Sequence, residues 1–182
     1  MKSKAFWWTV RIGVLVLAVS ICAPAQTPTQ VNLTGLINDY SPVSVSPAGP
    51  WEVRGEWSLT LKGESGKADF SAVLTMVRSD NWVSMFGNPD DPAGRGPHTH
   101  HVSLADGEVT PIAGGFRVSG TATVTGNGNP APFGPSSPLQ IDITGGSSVA
   151  FSNIKLTFGT PAAGHFGSQP LEGVVRSFNL DN

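Results

Sequence analysis

Residues 56–76 read EWSLTLKGESGKADFSAVLTM, and this stretch decides the fold class. Apolar side chains alternate with polar ones on both sides of a Gly-Glu-Ser-Gly segment; the apolar positions are Trp57, Leu59, Leu61, Ala68, Phe70, Ala72, Leu74 and Met76. Because side chains two apart in a strand point to the same face, each arm has one apolar and one polar face. Gly63-Glu64-Ser65-Gly66 is typical of a turn. The stretch therefore predicts an antiparallel β-hairpin.

Six further runs have the alternation and the Val, Thr and Phe content of strands: Val31–Ile37, His98–Ala105, Gly115–Thr125, Leu139–Thr144, Ala150–Phe158 and Leu171–Asn179. Short segments that contain Gly, Asn or Asp separate several of these runs, namely Asp106-Gly107, 126–129 and 145–148. Each segment can supply a turn residue with positive φ. No stretch has the period of 3.6 residues that an amphipathic helix requires. The sequence thus predicts an all-β chain of about eight strands.

The connections between most of these strands are short, and each strand has one apolar face. Sequential strands of this kind favour an antiparallel meander, which removes its exposed edges when it closes on itself. We therefore predict a single antiparallel up-and-down β-barrel of about eight strands. A two-sheet β-sandwich is the alternative.

The first 25 residues have the pattern of a secretory signal peptide. Lys2, Lys4 and Arg11 precede or border an apolar run from Ile12 to Cys22, which leads into Ala23-Pro24-Ala25. A membrane-spanning helix needs about 20 apolar residues, and this run is roughly half as long. We expect residues 1–25 to be removed and residues 26–182 to form one β-barrel domain in a secreted protein, extracellular or periplasmic. A lipid anchor at Cys22 is the alternative, although Ile21 is bulky for that processing.

The composition of the remaining chain narrows the classes of partner. Three of the 11 Lys and Arg residues and none of the 13 Asp and Glu residues lie in the leader, so the remainder is net negative. A negative surface with no cluster of Lys or Arg argues against binding to nucleic acid or to an anionic membrane surface. The single cysteine, Cys22, also lies in the leader. Any metal in the mature protein would therefore be held by nitrogen and oxygen ligands.

Three of the four histidines lie close together, at positions 98, 100 and 101, and the fourth, His165, lies between glycines in Gly164-His165-Phe166-Gly167. In a strand, His98 and His100 share a face with the apolar Val102 and Leu104, which directs both imidazoles into the barrel. Neutral imidazole is a common ligand of transition metals, and a third ligand from a distant segment would complete a facial set. The sequence therefore predicts a metal site made by His98, His100 and His165.

Other residues are candidates for an additional ligand or for support of the site, namely His101, Glu172, Asp90 and Asp91. Zinc is the favoured ion for such a set, and copper, iron and manganese are also compatible with nitrogen and oxygen ligands. The alternative interpretation is that these histidines only hydrogen-bond to backbone or carboxylate groups, as many buried histidines do.

Two long connections adjoin the histidines and are predicted to cover the same mouth of the barrel. Residues 79–97 contain Trp82, Met85 and Phe86, which we expect to form a ligand-contact loop, and residues 159–170 carry His165. We interpret the protein as a secreted metal-binding β-barrel with a three-histidine site at its mouth, and a metal-dependent hydrolase, lyase or isomerase reaction on a small molecule is one activity that such a site could support. The alternatives are a non-catalytic barrel that binds an apolar small ligand, and an interaction domain of the cell envelope.

Overall fold

The computed structural model describes residues 30–42, 50–78, 97–127, 129–130, 134–145 and 152–181. The predicted leader, residues 1–25, lies outside these ranges. Nine strands follow one another along the chain: β1 (Gln30–Tyr40), β2 (Trp51–Leu61), β3 (Lys67–Arg78), β4 (His98–Ile112), β5 (Gly115–Gly126), β6 (Asn129–Pro130), β7 (Ser136–Thr144), β8 (Asn153–Phe158) and β9 (Leu171–Asp181). A short 3₁₀ helix (Gly63–Ser65) and one α-helix, α1 (Ala163–Phe166), complete the elements. Within the described ranges, neither helix has the length and apolar character needed to cross a membrane.

Eight of these strands form a closed antiparallel barrel in which each strand pairs with its neighbour in sequence, and β1 pairs with β9. Strand β6 is a two-residue addition that pairs only with the end of β5. The prediction of an up-and-down barrel of about eight strands is confirmed, and the sandwich alternative is not. The Gly63–Gly66 turn is also confirmed, since Gly66 has φ of 64° and the N–H of Lys62 donates to the carbonyl oxygen of Lys67 at 2.8 Å.

The interior of the barrel is filled by side chains from every long strand. Alternate residues of each strand are buried as the period of two requires. The buried apolar residues form one cluster: Leu33, Ile37, Trp51, Val53, Trp57, Leu59, Ala68, Phe70, Ala72, Leu74, Met76, Val102, Leu104, Val118, Ala122, Val124, Leu139, Ile141, Ile143, Ile154, Leu156, Phe158, Ala162, Phe166, Leu171 and Val175. Burial of this apolar surface is the main source of the stability of the fold.

The barrel closes where β1 meets β9, and a glycine is required at that seam. The register runs from Gln30 opposite Asp181 to Ile37 opposite Gly173, with an irregularity between Thr34 and Gly35. A Cβ atom on Gly35 would lie 2.5 Å from Cζ2 of Trp57. The large Trp57 ring is thus accommodated because its partner on β1 has no side chain.

One predicted turn is wrong in position. We expected Asp106-Gly107 to end the strand that begins at His98, but β4 continues through it to Ile112, and the reversal occurs next to Gly114, which has φ of 74°. Asp106 does have positive φ, 52°, but it lies where the pairing of β4 with both neighbours shifts register. A positive φ serves a β-bulge as well as a turn, so this dipeptide bends the strand and does not reverse it.

One end of the barrel is formed by the last residues of β1, β3, β5 and β8 and the first residues of β2, β4, β7 and β9. We call it the histidine end, because β4 begins there with His98. The connection that carries His165 also lies there, since it joins β8 to β9. Most of the predicted ligand-contact loop, including Trp82, Met85 and Phe86, lies outside the described residues, although it joins β3 to β4 at this same end.

Candidate metal centre

Strand β4 places His98 and His100 on the inner face of the barrel. His98 lies opposite Met76 of β3, and His100 lies opposite Leu74, and both partners are fully buried. The side chain of His100 is only 1% exposed, whereas His98, nearer the end of the strand, is partly exposed. His101 points to the outer face and is exposed. The alternation read from the sequence therefore assigns the three neighbouring histidines to the correct faces.

The third histidine is held in place by the packing of α1 against the wall of the barrel. Phe166, next to His165, is fully buried and stacks on Phe158 with ring centroids 4.4 Å apart. The backbone N–H of Ala162 donates to the hydroxyl oxygen of Ser137 at 2.8 Å, and this hydroxyl lies 3.4 Å from the carbonyl oxygen of Gly159, to which it donates. Ser137 is itself 1% exposed. The connection that carries His165 is thus fixed at its start by β7 and in its middle by β8.

The three imidazoles converge through the same ring atom. The Nε2 atom of His165 lies 2.9 Å from Nε2 of His100 and 3.1 Å from Nε2 of His98. Ligand atoms of the three residues all lie within 4.8 Å of one another. Tetrahedral zinc with Zn–N bonds of 2.0–2.1 Å holds its ligand nitrogens about 3.3–3.4 Å apart. The two spacings at His165 are thus slightly shorter than those around zinc, and all three residues lie close enough to share one ion.

The hydrogen bond of His100 sets its tautomer. Nδ1 of His100 lies 2.8 Å from the carbonyl oxygen of Thr125, which can only accept, so Nδ1 carries the hydrogen. The lone pair of His100 is consequently on Nε2, directed at His165. This is the arrangement seen for metal-bound histidines in general, where the second ring nitrogen donates to a backbone or carboxylate oxygen.

The charge state of the cluster also suits a cation. Burial lowers the pKa of His100 to about 4, and it lowers the pKa of His165 to about 3, with the neighbouring imidazoles of His100 and His98 acting in the same direction. Both rings are therefore neutral near pH 7, and a histidine must be neutral to bind a metal. The same burial that disfavours protons leaves two lone pairs available inside the protein.

Aromatic rings surround the cluster. Trp51 lies edge-on to His98 with centroids 5.1 Å apart, and Phe166 lies edge-on to His100 at 5.0 Å. The sequence contained no signal that placed Trp51, Phe158 or Ser137 at the site, because they come from three different strands and follow no motif. Only Phe166 adjoins a predicted ligand.

The other predicted site residues are not brought into the cluster. Glu172 is exposed on β9 and forms an ion pair with Lys155 at 2.7 Å. His101 faces outward from β4, as described above. Asp90 and Asp91 lie outside the described residues. Among the residues that the structure describes, the group of possible metal ligands is thus His98, His100 and His165.

The free energy of unfolding of the metal-free protein is expected to fall when the pH is lowered from about 6.5 towards about 4. An unfolded histidine titrates near pH 6.5, whereas the pKa of folded His100 is about 4 and that of His165 about 3. Between these values the unfolded chain binds protons that the folded chain does not, so acid favours unfolding. Urea unfolding at a series of pH values measures this, with chelator present.

The carboxyl groups do not obscure this dependence. Lys62 lowers the pKa of Asp69 and Arg117 lowers that of Asp142 from 3.8, so both groups add to the acid sensitivity only at lower pH. His165→Asn is expected to reduce the dependence above about pH 4, because one of the two buried imidazoles is gone. A free energy of unfolding that is constant from about pH 7 to about pH 5 would contradict the burial of these rings.

Comparisons of the chain with protein-family models, with curated proteins and with solved structures gave no match. The site is therefore interpreted from its own geometry.

Proposed function

We propose that this is an exported protein that binds one divalent transition-metal ion through Nε2 of His98, His100 and His165. One observation carries the proposal. Nε2 of His165 lies 2.9 Å from Nε2 of His100 and 3.1 Å from Nε2 of His98, and both of these histidines are on β4. Purely structural histidines usually pair with backbone or carboxylate groups. Here two histidines of β4 and one of α1 also direct ring nitrogens at one another, which is the arrangement that one shared cation requires.

Zinc is the ion that we favour. Its usual coordination is tetrahedral with bonds of 2.0–2.1 Å to histidine nitrogen, and the two spacings at Nε2 of His165 are close to what that geometry requires. Copper, iron and manganese also accept nitrogen and oxygen ligands. The only cysteine of the chain lies in the leader, which is consistent with a site without sulfur.

Export is supported by the leader pattern of residues 1–25, and an extracellular or periplasmic location follows from it. Three protein ligands on zinc leave a fourth position open, as in catalytic sites, whereas structural sites have four protein ligands. An open position next to a metal lets a bound water ionise near neutral pH or polarises a carbonyl group. This favours a hydrolase, lyase or isomerase acting on a small molecule over a purely structural metal.

The alternative of an apolar ligand inside the barrel is less well supported. The interior is occupied by the buried side chains of the core, among which Val53, Leu74, Ile141, Ile154 and Leu156 are fully buried. An apolar ligand would have to bind outside this packed core. Trp82, Met85 and Phe86, which would contact such a ligand, are not among the described residues.

The proposal predicts that untagged protein contains one metal ion per chain and that zinc raises its melting temperature. A ligand present at 100 times its dissociation constant stabilises the folded state by about 2.7 kcal/mol. For a domain of this size that corresponds to a rise of roughly 5–10 °C. Elemental analysis and thermal unfolding after chelator treatment, with and without added zinc, measure both quantities. Protein that binds no metal and does not respond to zinc, copper, iron or manganese would overturn the proposal.

A further inference from the structure

The ligand set of the proposed metal site carries no negative charge. The group consists of three histidines and, within the described part of the chain, includes no carboxylate. Histidine binds a metal as the neutral imidazole, so these ligands add no charge to that of the ion. A divalent cation held only by neutral imidazoles keeps its full charge of two. Such a charge in a largely buried position is costly unless an anion accompanies it.

The described carboxylates on the strands that end near the site are engaged elsewhere. Both oxygens of Glu52 on β2 bind the guanidinium of Arg54, and Glu172 on β9 binds Lys155. The oxygens of Asp39 on β1 accept hydrogen bonds from the backbone N–H groups of Tyr40 and Glu172. Each of these groups therefore already has a partner away from the three rings. Among the described residues, these strands therefore leave no carboxylate to compensate the charge of the metal.

Among the described residues, the three rings of the site differ in their exposure to solvent. His100 forms its floor, with 1% of its surface exposed, while His98 and His165 are partly exposed. A molecule from solvent therefore reaches the metal position past His98 and His165. Trp51 and Phe166 border the rings of His98 and His100 with apolar edges and offer no charge. The access route thus suits a small molecule that brings its own negative charge to the metal.

We propose that the fourth coordination position takes a small external anion with an oxygen donor, of the carboxylate class. This inference rests on the proposed metal site and specifies its ligand. The carboxylate replaces metal-bound water, its oxygen forms the fourth bond, and the net charge of the site falls from +2 to +1. A neutral molecule of the same shape gains no such charge compensation.

Cobalt(II) makes the fourth ligand visible, because its visible absorption depends on coordination. The full chain loaded with one equivalent of cobalt(II) is titrated with acetate and with formate at constant ionic strength, and acetamide serves as the neutral control of matched shape. We expect saturable changes in the visible bands with both anions, at half-saturation in the millimolar range, and no change with acetamide. His101→Ala, on the outer face, is expected to behave as the wild type does.

The outcomes separate this inference from the proposed function. Protein that binds cobalt(II) but whose spectrum does not respond to either anion overturns the anion proposal and leaves the metal site standing. A response that appears only in Asp90→Asn or Asp91→Asn also overturns it, because the chain would then supply its own anion. Failure to bind cobalt(II), zinc or any other transition metal overturns the proposed function and, with it, this inference.

Discussion

His165→Ala is expected to remove stoichiometric metal from the protein and to weaken zinc affinity by more than about 100-fold, since even residues that only support a ligand affect affinity by roughly 10–100-fold. His165 supplies one of three nitrogens, and it is the only one of the three that lies outside β4. Without it, the pair on β4 leaves two positions of the ion to solvent. Elemental analysis of untagged protein and a zinc titration against a competing chelator measure the loss.

His101→Ala is the matched control for this variant. It removes the same side chain from β4, next to His100, but from the exposed outer face. We expect it to keep one metal per chain with unchanged affinity. Equal metal content in His165→Ala and His101→Ala would refute the assignment of His165 as a ligand. Because His165 lies on a connection and not in a strand, we expect the melting temperature of its metal-free variant to stay close to that of the metal-free wild type.

Gly35→Ala is expected to cost about 3 kcal/mol of unfolding free energy, at the upper end of the cost of overpacking a core. The added methyl would meet the carbonyl oxygen of Val174 and would lie 2.5–2.6 Å from two atoms of the Trp57 ring. The backbone of β9 and a Trp that is 3% exposed cannot both move away without opening the β1–β9 seam. Urea unfolding measures the change.

Gly164→Ala is the control for this second variant. Gly164 lies in α1, and a Cβ atom there has no neighbour within 4 Å. Alanine is favoured over glycine in a helix, so we expect no loss of stability and at most a small gain. If Gly35→Ala unfolds at the same urea concentration as Gly164→Ala, the close approach of Trp57 to β1 is not a determinant of stability.

The strands and the orientation of two ligands were predictable because both depend on local alternation. In β4 the period of two alone places His98 and His100 inside and His101 outside. The barrel was preferred to a sandwich on topological grounds, but its closure depends on pairing between β1 and β9, whose residues are far apart in sequence. No local pattern in β1 encodes that partner.

The details that could not be predicted involve contacts between distant segments. The sequence predicted that His165 would join His98 and His100, but not the contacts that hold it there, because Ser137 and Phe158, which anchor α1, form no motif with the histidines. The error at Asp106 has a different cause, because an Asp-Gly pair with positive φ fits both a turn and a bulge. Packing of Gly107 among Leu104 and Val118 favours the bulge, and this environment exists only once β4 has paired with β5.

The pairing of the first strand with the last has a consequence for the order in which the centre is assembled. During synthesis, β3 and β4 emerge together and can present two imidazoles when about half of the chain is still to follow. The third imidazole, that of His165, is synthesised only shortly before β9. Strand β9 must then pair with β1, which lies near the other end of the sequence. Pairing between such distant segments is a slow step in folding. We therefore expect the proposed metal site to form in steps, with two histidines available first and all three only once the barrel has closed.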